Sequence, residues 1–185
     1  MIKVFTGPMF ASKSYGLIKE YLKKYDKEKD NIVCFKPSKD KRDKSFIKSR
    51  RLSTKVPAFI ISDLSEIKNY LTPQTTTIMI DEAQFLTGDV SELVMLTIRD
   101  HIDIYIAGLN LASWSTPFGV MPDILSVASE IVILRAECRE CGRDAEYTYC
   151  VVPKEGEVLI GDDKYIPLCG DCLYKRIGDL WKEIG

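Results

Sequence analysis

Histidine is all but missing from this chain; His101 is the only one. It precedes an apolar run, offers no obvious acidic or cysteine partner, and reads as structural. Net charge is missing too. The 26 Lys and Arg against 27 Asp and Glu leave −1, so no overall field draws the molecule to nucleic acid or to a membrane surface. No apolar run approaches the ~18–20 residues that a membrane-spanning helix needs. The opening Met-Ile-Lys carries no secretory apolar core, and no internal repeat or low-complexity segment interrupts the sequence. These absences lead us to expect a protein of a reducing cytoplasm, or of a host cytosol, with no membrane and no nucleic-acid partner. What is present is ordinary for a globular protein: 185 residues, 45% apolar and 29% charged, enough for one domain and a small appendage.

Six cysteines fit a reducing compartment only if they are not a disulfide framework. Four fall into two pairs, Cys138-x-x-Cys141 and Cys169-x-x-Cys172, with 27 residues between them. In an intracellular chain that spacing reads as a zinc ribbon. Four thiolates on two tight turns close a tetrahedral site with no open position, so the Zn²⁺ it predicts is structural. Cys150 has no partner at ligand spacing. Cys34 lies in the apolar run Asn31-Ile-Val-Cys-Phe35 and reads as a core thiol.

At the other end, the apolar run Ile2–Thr6 leads into Gly7-Pro8-Met9-Phe10-Ala11-Ser12-Lys13-Ser14. A strand, a phosphate-binding loop and then a helix are predicted here. In such loops backbone N–H groups wrap a nucleotide's phosphates, the lysine (Lys13) neutralises them and the hydroxyl (Ser14) ligates Mg²⁺. The pattern asks for glycine before the lysine, and this chain has Ser12. If the backbone needs φ > 0 there, the strain is about 1–2 kcal/mol, enough to weaken nucleotide binding about tenfold. Leu17, Ile18, Tyr21, Leu22 and Tyr25 then recur at helical spacing.

Further along, strand-like and helix-like segments alternate. Strands are expected at 32–35, 75–81, 102–107 and 130–134, a further apolar segment at 56–61, helices at 89–100 and 124–128, and a capped start at Asp63-Leu64-Ser65-Glu66. The fold class predicted is α/β: a parallel-sheet P-loop nucleotide-binding domain over residues 1–135 with helices on both faces, and a small zinc-ribbon-like domain over 136–185. The strand Ile78-Met79-Ile80 ends in Asp81-Glu82, as a Walker B strand does. Asp81 is suited to hold Mg²⁺ and Glu82 to act as a general base. Residues 36–55 contain nine Lys or Arg with only Phe46 among the charges, which disfavours stacking on nucleic acid and leaves a solvated loop near phosphates.

Taken in order, these segments resemble the type II thymidine kinases, a family of small zinc-containing deoxynucleoside kinases. The residues that carry the resemblance are Gly7–Ser14, Lys36-Pro-Ser-Lys-Asp40-Lys-Arg42 with Ser49-Arg50, Asp81-Glu82-Ala-Gln84-Phe85, Gly108-Leu109-Asn110 with Pro117-Phe118-Gly119, both cysteine pairs and Gly161-Asp-Asp-Lys-Tyr165. The resemblance implies transfer of the γ-phosphoryl group of ATP to the 5′-hydroxyl of thymidine, with Glu82, Lys13 and Arg42 as catalytic residues. It adds Gln84 to the nucleotide-binding set of Gly7–Ser14 and Asp81. It implies a base pocket of Met9, Asp40, Phe85, Leu109, Phe118 and Tyr165, covered by a loop containing Val158, Ile160 and Gly161 whose ends the zinc would anchor. A homotetramer and feedback by dTTP are implied in the same way. The chain departs from the family at Ser12, at Asn110 in place of an acid, at Ser113 in place of an aromatic ring that the neighbouring Trp114 could replace, and at Ile160 in place of glycine. Those departures keep two alternatives open: a catalytically weakened nucleotide-binding homologue, and a deoxynucleoside kinase of altered base preference. A zinc-ribbon nucleic-acid ATPase is a third, opposed by the near-neutral charge.

Overall fold

Short strands that are apolar at nearly every position can be buried on both faces only in a parallel sheet covered twice. That is the arrangement in the computed structural model, which describes residues 1–28, 31–40, 45–113, 115–152 and 161–184. The chain runs β1 (Ile2–Thr6), α1 (Lys13–Glu28), β2 (Ile32–Pro37), β3 (Phe46–Ser49), β4 (Leu52–Pro57), β5 (Phe59–Ile61), β6 (Thr77–Ile80), α2 (Ser91–Arg99), β7 (Asp103–Gly108), α3 (Met121–Ser126) and β8 (Glu130–Ile133). Short strands β9 (Ala136–Glu137), β10 (Asp144–Ala145), β11 (Tyr147–Cys150) and β12 (Tyr165–Leu168) follow, then α4 (Gly170–Ile184). No helix among the described residues is long and apolar enough to cross a membrane.

Six strands form one sheet in the order β5-β2-β6-β7-β1-β8, every pairing parallel. One face carries α1, with Leu17 and Ile18 set against Phe5, Met79 and Tyr105; the other packs Leu93, Leu96, Met121 and Ile124 of α2 and α3 against Val4, Ile78, Ile104 and Ile106. Cys34 lies within the first of these faces, and burial pushes its thiol up to about 12. The predicted capped start at Asp63 is a capping box at the head of a 3₁₀ helix, Leu64–Tyr70.

Residues 46–55, expected as solvated loop, instead join the start of the apolar segment at 56–61 in an antiparallel hairpin of β3 and β4. Its anchors are Ile47 and Val56, cross-strand partners that are 2% and 1% exposed in the α1 face of the core. The hairpin therefore buries one apolar pair and leaves its lysines and arginines outside. The density of charge masked Ile47, which with Val56 was enough to pin the ribbon.

The topology sets up the site. β1 and β6 are separated only by β7, and both run the same way, so the loop after β1 and the carboxylates after β6 leave the sheet at the same carboxyl edge. Open parallel sheets bind ligands in the crevice at that edge.

Candidate active site

The phosphate loop has one permitted shape. Gly7 sits at φ +136°, and a Cβ there would lie 2.1 Å from the Leu134 carbonyl oxygen at the end of β8, so no side chain fits. Lys13 donates to the Pro8 carbonyl across the loop at 2.7 Å. Phe10 and Ser12 are both left-handed, at φ +66° and +63°. Ser12 thus holds the backbone that glycine visits freely, at a strain of about 1–2 kcal/mol. Its carbonyl accepts the Gly16 N–H at 3.1 Å and so starts α1. Ser12→Gly should raise the thermal unfolding midpoint by about 2–4 °C, the shift that ~1 kcal/mol produces in a chain of this size once glycine's own entropy cost is deducted. An unchanged or lower midpoint would mean that serine is relaxed there.

Ser14, on the first turn of α1, donates its hydroxyl to Asp81 Oδ1 at 3.0 Å, joining the loop to the carboxyl end of β6. Asp81 is 7% exposed. Burial, then the neighbouring Glu82 charge, push its carboxyl up to about 7. Glu82 is itself left-handed at φ +53°, an uncommon conformation for a glutamate and one that strained functional sites tend to hold. Gln84 bridges two elements: Nε2 donates to Glu82 Oε2 at 2.6 Å, and Oε1 accepts the buried Leu109 N–H at 3.0 Å. Gly119, at φ +52°, is wedged so closely beneath it that a Cβ would lie 2.1 Å from the Gln84 carbonyl oxygen. Gln84, expected as a nucleotide-binding residue, lines the cavity with its amide engaged by Glu82 and the end of β7.

These groups open onto a cavity of about 720 Å³, in the range of a small-molecule site. Lys13, Ser14, Asp81 and Glu82 lie along it, as do Met9, Asp40, Phe85, Leu109, Phe118, Gly161 and Tyr165 from the predicted base pocket. The Phe85 and Phe118 rings meet edge to face at 5.4 Å. Phe10 and Ser12 also line it, whereas Gly7, Pro8 and Ala11 support the loop from outside the cavity lining. Arg42, Trp114, Val158 and Ile160 lie outside the described residues. Asp40 forms a buried ion pair with Lys36 at 3.0 Å, the two side chains 6% and 3% exposed.

Tyr15, Arg51 and Thr148 line the cavity as well, without any expectation from the sequence. The Arg51 guanidinium lies over the Tyr15 ring, 5.9 Å from its centroid. Arg50 lies 5.1 Å from the centroid of the Phe10 ring and pairs with Asp162. Only the chance that charges in 36–55 fold back over the phosphate loop could have pointed to the arginines, and only the hairpin anchors would have signalled that.

The four cysteine sulfurs lie within 4.8 Å of one another, with Cys141 and Cys169 at 3.6 Å. Ligands at ~2.3 Å from a tetrahedral Zn²⁺ stand about 3.8 Å apart, so the donor set fits zinc. The second pair begins α4, where the helix N-terminus favours thiolate. Arg143 donates to Cys141 Sγ at 3.4 Å and to Cys169 Sγ at 3.7 Å, holding the Cys141 thiol down at about 6. Its charge would offset part of the excess negative charge of four thiolates around a dication. Cys150 stands apart and donates to the Val152 carbonyl at 3.1 Å.

A family model described as thymidine kinase matches residues 1–173. The chain is 29% identical over 176 residues to a thymidine kinase of Pseudothermotoga lettingae, covering 94% of this chain and 95% of that protein. It is 33% identical to a thymidine kinase of Aster yellows witches'-broom phytoplasma and 34% identical to one of Onion yellows phytoplasma, each match covering 89% of this chain and 81% of the relative. With the family model matching 1–173 of its 185 residues, the chain belongs to the thymidine kinase family.

Proposed function

We propose that the protein transfers the γ-phosphoryl group of ATP to the 5′-hydroxyl of thymidine. The observation that carries the reading is the chain of contacts Ser14–Asp81, Glu82–Gln84 and Gln84–Leu109, which sets phosphate-handling groups and an aromatic-walled slot in one cavity. Phosphoryl transfer needs positioning and electrostatics more than covalent help, and these residue types supply both.

In this reading the nucleoside lies against Phe85 and Phe118 with its 5′-hydroxyl toward Glu82, whose carboxylate takes the hydroxyl proton. The 5′-oxygen bonds to the γ-phosphorus as the bond from that phosphorus to the β–γ bridging oxygen breaks. ADP leaves with the electron pair and dTMP forms. Lys13 neutralises charge on the phosphates. Ser14 and Asp81 would hold Mg²⁺, which supplies positive charge to the phosphate oxygens and offsets the cost of the buried Asp81 carboxylate. Gln84 fixes the carboxylate of Glu82, while Arg42 adds phosphate stabilisation. Ser12 takes up the left-handed backbone that a glycine would, so the phosphate loop keeps its shape and ATP binding carries the roughly tenfold cost of that strain.

Function divides near residue 135: the first part handles ATP, and the zinc-bearing remainder carries the loop that covers the base. A cytoplasmic homotetramer subject to feedback by dTTP belongs to the same reading. A phosphate-transfer panel over the natural deoxynucleosides, with zinc-replete protein and ATP–Mg²⁺, tests it. Thymidine should be the preferred acceptor. Preference for another base would overturn the substrate assignment, and no transfer to any of them would overturn the kinase reading.

A further inference from the structure

Two of the eight phosphate-loop residues, Phe10 and Ser12, are left-handed without being glycine. Such conformations persist only where the surroundings over-determine them. The loop's own bonds are few: the Ala11 N–H and the Lys13 ammonium both reach the Pro8 carbonyl, the first at a long 3.4 Å. The other side of that same peptide, the Met9 N–H, is tied from far along the chain. It donates to Thr148 Oγ1 at 2.9 Å, across 139 positions of sequence. Thr148 is 4% exposed, and its strand, β11, pairs with β12, which leads straight into Cys169. Ala11, two residues after Met9, is 4% exposed and packs in the same cluster as Cys138, Cys169 and Cys172. The phosphate loop is therefore seated on the cysteine-bearing part of the molecule by one hydrogen bond and one buried methyl group.

Building on the kinase reading, we propose that Thr148 is a positioning residue for ATP: its hydroxyl fixes the Met9 peptide, and with Ala11 it makes the metal-bearing segment part of the phosphate site. An acceptor here does two things. It holds the peptide in one orientation, so that the following left-handed turn at Phe10 points its N–H groups consistently. It also satisfies a part-buried donor that would otherwise favour an alternative loop shape.

The test compares Thr148→Val, which keeps the shape and loses the acceptor, with Thr148→Ser, which restores it. Binding of ADP–Mg²⁺ without nucleoside should weaken about tenfold in the valine variant and return to within about twofold of wild type in the serine variant. In turnover, KM for ATP should rise about tenfold with kcat within about threefold. Amide hydrogen exchange at Met9, read without any ligand, should quicken at least about tenfold in the valine variant alone. ADP affinity within twofold of wild type in Thr148→Val, or unchanged exchange at Met9, overturns the proposal. Wild-type protein that fails to bind ADP overturns the kinase reading instead, and the exchange at Met9 then still decides whether Thr148 holds the loop.

Discussion

Glu82→Gln is expected to lower phosphoryl transfer by about 10²–10⁴-fold, the usual worth of a positioned general base, while fold and ADP affinity survive. Glutamine has the same shape and the same backbone cost at φ +53°. It can still present an amide oxygen to Gln84 Nε2, so the bridge to the Leu109 N–H is kept. What it lacks is a site for the proton of the attacking hydroxyl. The loss should therefore appear in kcat, with KM for ATP nearly unchanged. A variant that transfers phosphate at the wild-type rate would remove Glu82 from the mechanism. The neighbouring Asp81→Asn change would not give the same pattern, because Asp81 is tied to Ser14 and to the proposed Mg²⁺ position, and its effect should fall on ATP–Mg²⁺ binding.

Metal removal is the second large effect. Stripping the protein with a strong chelator should release roughly one zinc per chain, abolish transfer and expose the backbone amides of residues 136–152 and 165–173 to exchange. The reason is the small size of what remains. Strands β9 to β12 form two-stranded ribbons whose shared core holds Ala145, Leu168 and Leu173 beside three buried cysteines. Too little apolar area lies there to offset the ordering of those residues unless the metal adds its own binding free energy. Because Tyr165 and Gly161 line the cavity from this segment, thymidine binding should fail with it. Exchange unchanged after complete zinc loss would show that the ribbons stand on their own packing.

Much of this was legible in the chain, and what was legible was local. A phosphate loop, a carboxylate pair at a strand end, a capping box and two C-x-x-C pairs are written within a few consecutive residues, because each one's chemistry is finished within a turn or two of backbone. The inner strands of the sheet were legible for a similar reason, since burial on both faces demands an unbroken apolar run. The hairpin of β3 and β4 was not, because four Lys and Arg stand between its two buried residues and five more lie just before it, at 36–44. The left-handed backbone of Glu82 was invisible as well, since nothing in the letters Asp-Glu marks a reversal of φ. Nor could composition foretell that Gln84 would spend its amide on Glu82 and the Leu109 peptide, or that Met9 would be held by Thr148. Both contacts come from the folding of distant segments onto one edge, and a distant partner leaves no trace in local spacing.

The strand order has a consequence for biogenesis. β1, which precedes every other strand of the sheet in the chain, is hydrogen-bonded between β7 and β8, so it has no partner until residues 103–108 have been synthesised and only one until 130–133 have followed. Gly7 is not seated until Leu134 has emerged, and Met9 not until Thr148 has. Non-local parallel pairing of this kind closes slowly and leaves apolar strand surface open meanwhile. The strand translated ahead of the other five is thus among the last to reach its working shape, and a ribosome-stalled chain ending before residue 103 would display Ile2, Val4 and Phe5 to chaperones instead of burying them.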